Sequence, residues 1–273
     1  MTTSETCYES PIISQSSSAL KWGLRVICLL GTMAFMSAIA GSPGPPFSES
    51  ATLAHIQKLK ETKDEIMPGD TIPRRLRLAD SLYALAHFYN DQKFFEKADA
   101  CYAETFAILK NDKSVAGRSA RRNYAESTAR DYLERGDLAK AKPYIDVARQ
   151  MCREDSTQKE ALPSVLTTLA RWQRHSKLWK EAESSLLEAL AIRGEYGQEQ
   201  RGELALVYLE SCQWAHADKT IREMEKSNYA DSSCLFLRAH WLRATGKQRE
   251  SEQLEAEARA KKAEELEKQK NSQ

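Results

Sequence analysis

Histidine is scarce, with only five residues, and no two of them stand at the spacing of a metal-binding pair. His-Glu-x-x-His and paired Cys-x-x-Cys motifs are both missing, which excludes the common zinc signatures. Glycine, at 11 of 273 residues, never gathers into a loop that could cradle phosphate, and no Gly-x-Ser-x-Gly elbow occurs. Neither sign of charge prevails: 40 Lys+Arg against 39 Asp+Glu leave a net charge of +1. Such a balance argues against bulk electrostatic attachment to nucleic acid or to an acidic membrane. With no catalytic constellation in view, the expectation is a protein that is not an enzyme and holds no metal or cofactor.

What the chain has in quantity is helix-forming residues. Charged residues make up 29% and hydrophobic residues 41%, with proline limited to eight. Ala, Leu, Glu, Lys and Arg with few breakers favour helix.

The first 22 residues are rich in Ser and Thr and read as disordered. Lys21 and Arg25 then precede an uncharged apolar run from Val26 to Gly41. That run is short for a membrane span, which needs about 20 residues. It fits a signal-peptide apolar region, and Ala38 and Ala40 form a small-x-small cleavage pattern. The rival is an uncleaved signal-anchor within 23–41, counting Leu24 into the span with Arg25 snorkelling. Either way the basic pair stays cytoplasmic and the bulk of the chain lies outside the cytoplasm. Residues 42–50 read as a Gly/Pro/Ser linker, and 51–78 as a capping helical region.

Beyond it the chain repeats. Blocks start near Ala79, Arg122, Pro163, Gln198 and Ser232 and extend to about residue 260. Each carries an apolar residue, a small one, and a larger one three places on: Leu85-Ala86 with Tyr89, Thr128-Ala129 with Tyr132, Leu169-Ala170 with Gln173, Leu204-Ala205 with Tyr208. Block five departs, with Arg238-Ala239 and Leu242. A second helix follows in each block. Its markers begin at Phe95, Leu138, Trp179, Trp214 and Gln248, with Ala98, Ala141, Ala182 and Ala217 three residues later in the first four. Alanine where two helix axes cross lets backbones approach, while large neighbours fill the grooves. Gly136 and Gly246 sit where the paired helices turn and a left-handed residue is useful. One hairpin cannot bury its face alone, so successive hairpins must stack. Residues 261–273 extend a charged helical tail.

These blocks resemble tetratricopeptide repeats. Small residues fall at that pattern's eighth, twentieth and twenty-seventh sites: Ala86, Ala98 and Thr105; Ala129, Ala141 and Ala148; Ala170, Ala182 and Ala189. Leu186 to Arg193 and the longer offsets of the first two blocks are similar to the kinesin-light-chain subtype. The resemblance implies an all-α solenoid of stacked antiparallel helix pairs, a right-handed superhelix, that binds another protein or peptide in a groove lined by the first helices. Groove candidates are Tyr83, His87, Asn90, Glu126, Arg130, Thr167, Arg171, Arg174, Phe236, His240 and Arg243. Their arginines suit an acidic or C-terminal peptide through charge-assisted bonds; the bland alternative is a set of solvated charges that binds nothing. The family's carboxylate-clamp type needs Asn where this chain has His87, Arg130, Arg171, Leu206 and His240, so that mode is not expected. A structural tether or self-associating spacer is the competing role, and an enzyme with an unrecognised site the remote one. Cys101, Cys152, Cys212 and Cys234 either form two disulfides or serve as small packing residues, the reading we favour. Trp172, Trp179, Trp214 and Trp241 are expected to pack the core.

Overall fold

The computed structural model describes residues 48–61, 72–226 and 231–271, with side chains as far as 268. The apolar segment at 23–41, the cleavage pattern at Ala38 and Ala40, and most of the 42–50 linker lie outside the described residues. Among the described residues no helix is long and apolar enough to cross a membrane, and none forms a strand.

After α1 (Glu49–Glu61) the helices among the described residues follow in five antiparallel pairs: α2 (Arg74–Asp91) and α3 (Phe95–Leu109), α4 (Val115–Arg135) and α5 (Leu138–Glu154), α6 (Leu162–His175) and α7 (Trp179–Arg193), α8 (Gln198–Glu210) and α9 (Trp214–Lys226), and α10 (Ser232–Ala244) and α11 (Gln248–Asn271). The five second helices begin at the five marker residues. The first helices of the first two pairs start earlier than the repeat pattern, at Arg74 and Val115. The charged tail is no separate element but the end of α11. Its Glu265 accepts hydrogen bonds from the Ser232 amide and hydroxyl at 3.2 and 2.7 Å, tying the tail to the start of α10.

Small residues twelve apart define each hairpin. Ala86 and Ala98, Ala129 and Ala141, Ala170 and Ala182, Ala205 and Ala217 are all buried. Alanine brings little transfer free energy, but its lack of bulk permits the close helix crossing that buries the larger residues beside it. In the fifth pair Ser251 replaces the second alanine, and its hydroxyl donates to the Ala239 carbonyl at 2.8 Å. The small-residue rule survives there with a hydroxyl that finds a partner inside the crossing.

Every hairpin turns through a left-handed residue two places before its second helix: Lys93, Gly136, Lys177, Cys212 and Gly246, with φ between 59° and 85°. The next amide in each case donates 2.8 Å back into the first helix, to the carbonyls of Tyr89, Tyr132, Gln173, Tyr208 and Leu242. This is the Schellman geometry, which satisfies the last free carbonyls of the first helix. Glycine adopts it without strain; Lys93 and Lys177 hold it against a Cβ penalty of about 1–2 kcal/mol. The same geometry at five positions marks one supersecondary unit repeated.

The described residues form two compact units, 48–168 and 169–271. In the first, Leu76, Ala79 and Leu109 pack with Tyr124, and Ala125, Ala148, Cys152 and Val165 pack with Phe106 and Tyr144. In the second, Leu186, Val207, Ile221 and Leu237 form a core against which Trp179, Trp214 and Trp241 lean. The Trp241 indole N–H donates to the Trp214 carbonyl at 3.0 Å. Three tryptophans are therefore packing residues, as expected. Cys101, Cys152 and Cys234 are free thiols. No bridge joins any two of the four repeat-domain cysteines, which corrects the two-disulfide alternative.

Candidate functional site

The residues expected to line a groove divide between the units. Tyr83, His87, Asn90, Glu126, Arg130 and Thr167 lie in the first; Arg171, Arg174, Phe236, His240 and Arg243 lie in the second.

In the first unit, α2 and α4 meet through polar and aromatic side chains. Tyr83 stacks on Tyr124 with centroids 4.0 Å apart, and the Tyr124 hydroxyl donates to Asp80. His87 Nδ1 lies 3.1 Å from Asp131 Oδ2, and its Nε2 lies 3.3 Å from Ser127 Oγ. The Tyr102 hydroxyl of α3 also donates to Asp131. Burial pushes the Asp131 carboxyl above the usual carboxylate range, against the pull of His87 and Tyr102. Asn90 Oδ1 accepts from Arg135 Nε at 2.6 Å, and Arg135 also pairs with Asp99. Between α4 and the start of α6, Arg130 donates to Glu126, to Ser164 at 2.8 Å and to Thr168 at 3.2 Å. Thr167 is fully buried and donates to the Pro163 carbonyl, so it packs rather than presents itself.

In the second unit the two central arginines are paired inward. Arg171 donates to Glu203 at 2.7 Å and to Glu199 at 2.9 Å. Arg174 lies 3.6 Å from the other Glu203 oxygen and 2.5 Å from Glu210. Glu203 is buried; burial drives its carboxyl upward, but the charges of Arg171 and Arg174 outweigh this and hold it below the usual range. Phe236, His240 and Arg243 stay partly exposed on α10. Arg243 pairs with Glu255, and burial beside Arg243 depresses the His240 pKa.

The arginines of this face thus enter with carboxylate partners already in place. Their charge spans neighbouring hairpins and is spent on stacking. The side chains that remain partly open are His87, Asn90 and Arg130 in one unit and Phe236, His240 and Arg243 in the other. Reading each first helix as an isolated face misses Ser127, Asp131 and Tyr102, and also Glu199, Glu203 and Glu210. A signal for them exists: His87 and Ser127 are 40 residues apart, and Arg174 and Glu210 are 36 apart, each about one repeat. Among the described residues no group of His, Cys, Asp and Glu could hold a metal ion.

No family model and no curated protein matches the chain. Solved structures do. BtubC (BKLC) from P. vanneervenii is similar with a TM-score of 0.61 at 15% identity, covering 80% of this chain and 90% of that one. A kinesin light chain from Podosopora anserina with nearly identical TPR-like repeats is similar with a TM-score of 0.53 at 17% identity, covering 72% and 99%. At such identities the likeness is one of fold, and the fold is TPR-like.

Proposed function

We propose that this TPR-like chain is an interaction scaffold that binds another protein or peptide on the first-helix faces of its hairpins. The observation that carries the reading is the repeated hairpin itself: the same alanine crossing and the same left-handed turn recur in pair after pair. Such faces bind by presenting side chains from several hairpins to one extended partner. His87, Asn90 and Arg130 in the first unit and Phe236, His240 and Arg243 in the second offer hydrogen bonds, one aromatic anchor and cationic heads. Because the buried arginines carry their own carboxylates, the partner is held by mixed polar and aromatic contacts more than by net charge.

The test is site-specific photocrosslinking in the native cell, with the probe at Asn90 or Phe236 and a control at Glu188, an exposed position on the second helix α7. A partner captured from the first two positions and missing from the control supports the reading. An identical capture set from all three sinks it. The rival role, a self-associating spacer, is separated by light scattering, since a strict monomer removes it.

We further propose that residues 23–41 deliver the repeats out of the cytoplasm, as a cleaved signal or as a single membrane anchor. The apolar run behind Lys21 and Arg25 supports this. Mass spectrometry of the mature N-terminus decides between cleavage after Ala40 and retention.

A further inference from the structure

We propose that Ser127 in the first unit is a nucleophile activated by His87 and Asp131, able to take the acyl group of a carboxylic ester. The inference adds an activity beside the scaffold role and does not rest on it.

The argument starts from the ring. Asp131 accepts on the Nδ1 side of His87 at 3.1 Å, so in the neutral ring the proton sits on Nδ1. That leaves the Nε2 lone pair facing Ser127 Oγ at 3.3 Å. The Ser127 hydroxyl therefore donates to His87, which is the arrangement that raises the nucleophilicity of a serine. Asp131 is itself fixed from the other side by the Tyr102 hydroxyl, and the ring rests edge-on against Tyr83, 4.6 Å between centroids. The orientation of the base is thus set by two packed tyrosines and a buried carboxylate, drawn from three helices.

Two further features complete the site. The Tyr83 hydroxyl is buried against the Ser127 hydroxyl, with which it interacts. The stacked rings of Tyr83 and Tyr124 add an aromatic wall to the site. Ser127 is only partly buried and the His87 side chain is 29% exposed, so neither is sealed from solvent.

The step balances. Ser127 Oγ bonds to the ester carbonyl carbon, its proton passes to His87 Nε2, and His87 returns that proton to the departing alkoxide. Water then attacks the acyl-serine, His87 takes a proton from it, and the proton returns to Ser127 Oγ as the acid leaves. The net reaction is ester plus water to acid plus alcohol.

The charged and titratable groups facing this ring are Asp131 from α4 and Tyr102 from α3, with Tyr83 on its own helix; Arg135 and Asp91 act on Asp131, and Arg130 acts on Tyr83. Of these, Asp131 is a positioning residue.

The experiment uses the full chain with a fluorophosphonate probe and p-nitrophenyl acetate, mapping the labelled peptide by mass spectrometry. Expected is one label on Ser127, none in S127A, and labelling about 100-fold slower in H87Q, the low end of what a general base contributes. D131N slows labelling, and the conservative D131E, which keeps the acceptor for His87 Nδ1, regains part of the rate; a merely structural Asp131 gives no such rescue. A folded wild type that takes no label overturns the proposal. So does equal labelling in S127A, or a rate in folded H87Q equal to that of the wild type. Should H87Q not fold, the wild type and S127A decide: no label on the folded wild type, or equal labelling in S127A, overturns it.

Discussion

Replacing Glu203 with alanine removes the one anion shared by Arg171 and Arg174. The magnitude follows from the geometry. The Glu203 side chain is 3% exposed and those of the two arginines are 10% and 9% exposed, so the group is desolvated in the fold. Breaking a buried pair from one side costs about 3–5 kcal/mol, because the other charge is left uncompensated. Here Arg171 keeps Glu199 and Arg174 keeps Glu210, which favours the lower bound, about 3 kcal/mol. With a urea dependence of about 2 kcal/mol/M the midpoint falls by about 1.5 M. Tryptophan fluorescence is the assay, since Trp172, Trp179, Trp214 and Trp241 all lie in the unit that contains Glu203. The pH dependence has a fixed sign. The folded Glu203 carboxyl titrates below its ordinary value. Its stabilisation is therefore present above the ordinary glutamate range and is lost as pH falls through the folded value. The gap between wild type and E203A must narrow in acid. A loss below about 1 kcal/mol, the range of exposed pairs, refutes the desolvation argument.

Lys93→Gly and Lys177→Gly relieve left-handed turns and should each stabilise the chain by about 1 kcal/mol, read as higher urea midpoints. Gly136→Ala should cost about 1 kcal/mol: a Cβ there meets nothing within 4 Å, so the loss is one of backbone conformation alone, and a neutral result contradicts it. Ala141→Leu forces bulk into a fully buried crossing and should cost at least about 1–3 kcal/mol, seen as a lowered thermal midpoint. Burial raises the thiol pKa of Cys152 and Cys234 to about 11 and pushes that of Cys101 up as well, but Cys101 is only half-buried. Of these three thiols iodoacetamide should reach Cys101 first in the native chain, as peptide mapping will report.

The hairpins were legible because their requirements are local and strict. A helix crossing needs a small residue, and Ala86, Ala98, Ala129, Ala141, Ala205 and Ala217 announce it at fixed spacing. The turns were half legible: Gly136 and Gly246 signal a left-handed residue, but Lys93, Lys177 and Cys212 adopt the same conformation under pressure from the surrounding pair. The polar faces were least legible. Arg171 and Arg174 stand on a first helix as the groove pattern requires, yet a single helix face does not reveal that Glu203 will be folded between them. Pairing across hairpins is a property of two helices at once, visible only when acids and bases are compared one repeat apart.

Those cross-hairpin pairs are not alike. Asp80, Asp131 and Asp99 receive Tyr124, His87 and Arg135 at the first junction, whereas Arg171 and Arg174 meet Glu203 and Glu210 at a later one. A hairpin copied into the middle of the second unit would have to bring both an acid for Arg171 and a base for Glu203. The order of the repeats is therefore keyed, and recombination among them is restricted to exchanges that keep each lock with its own key.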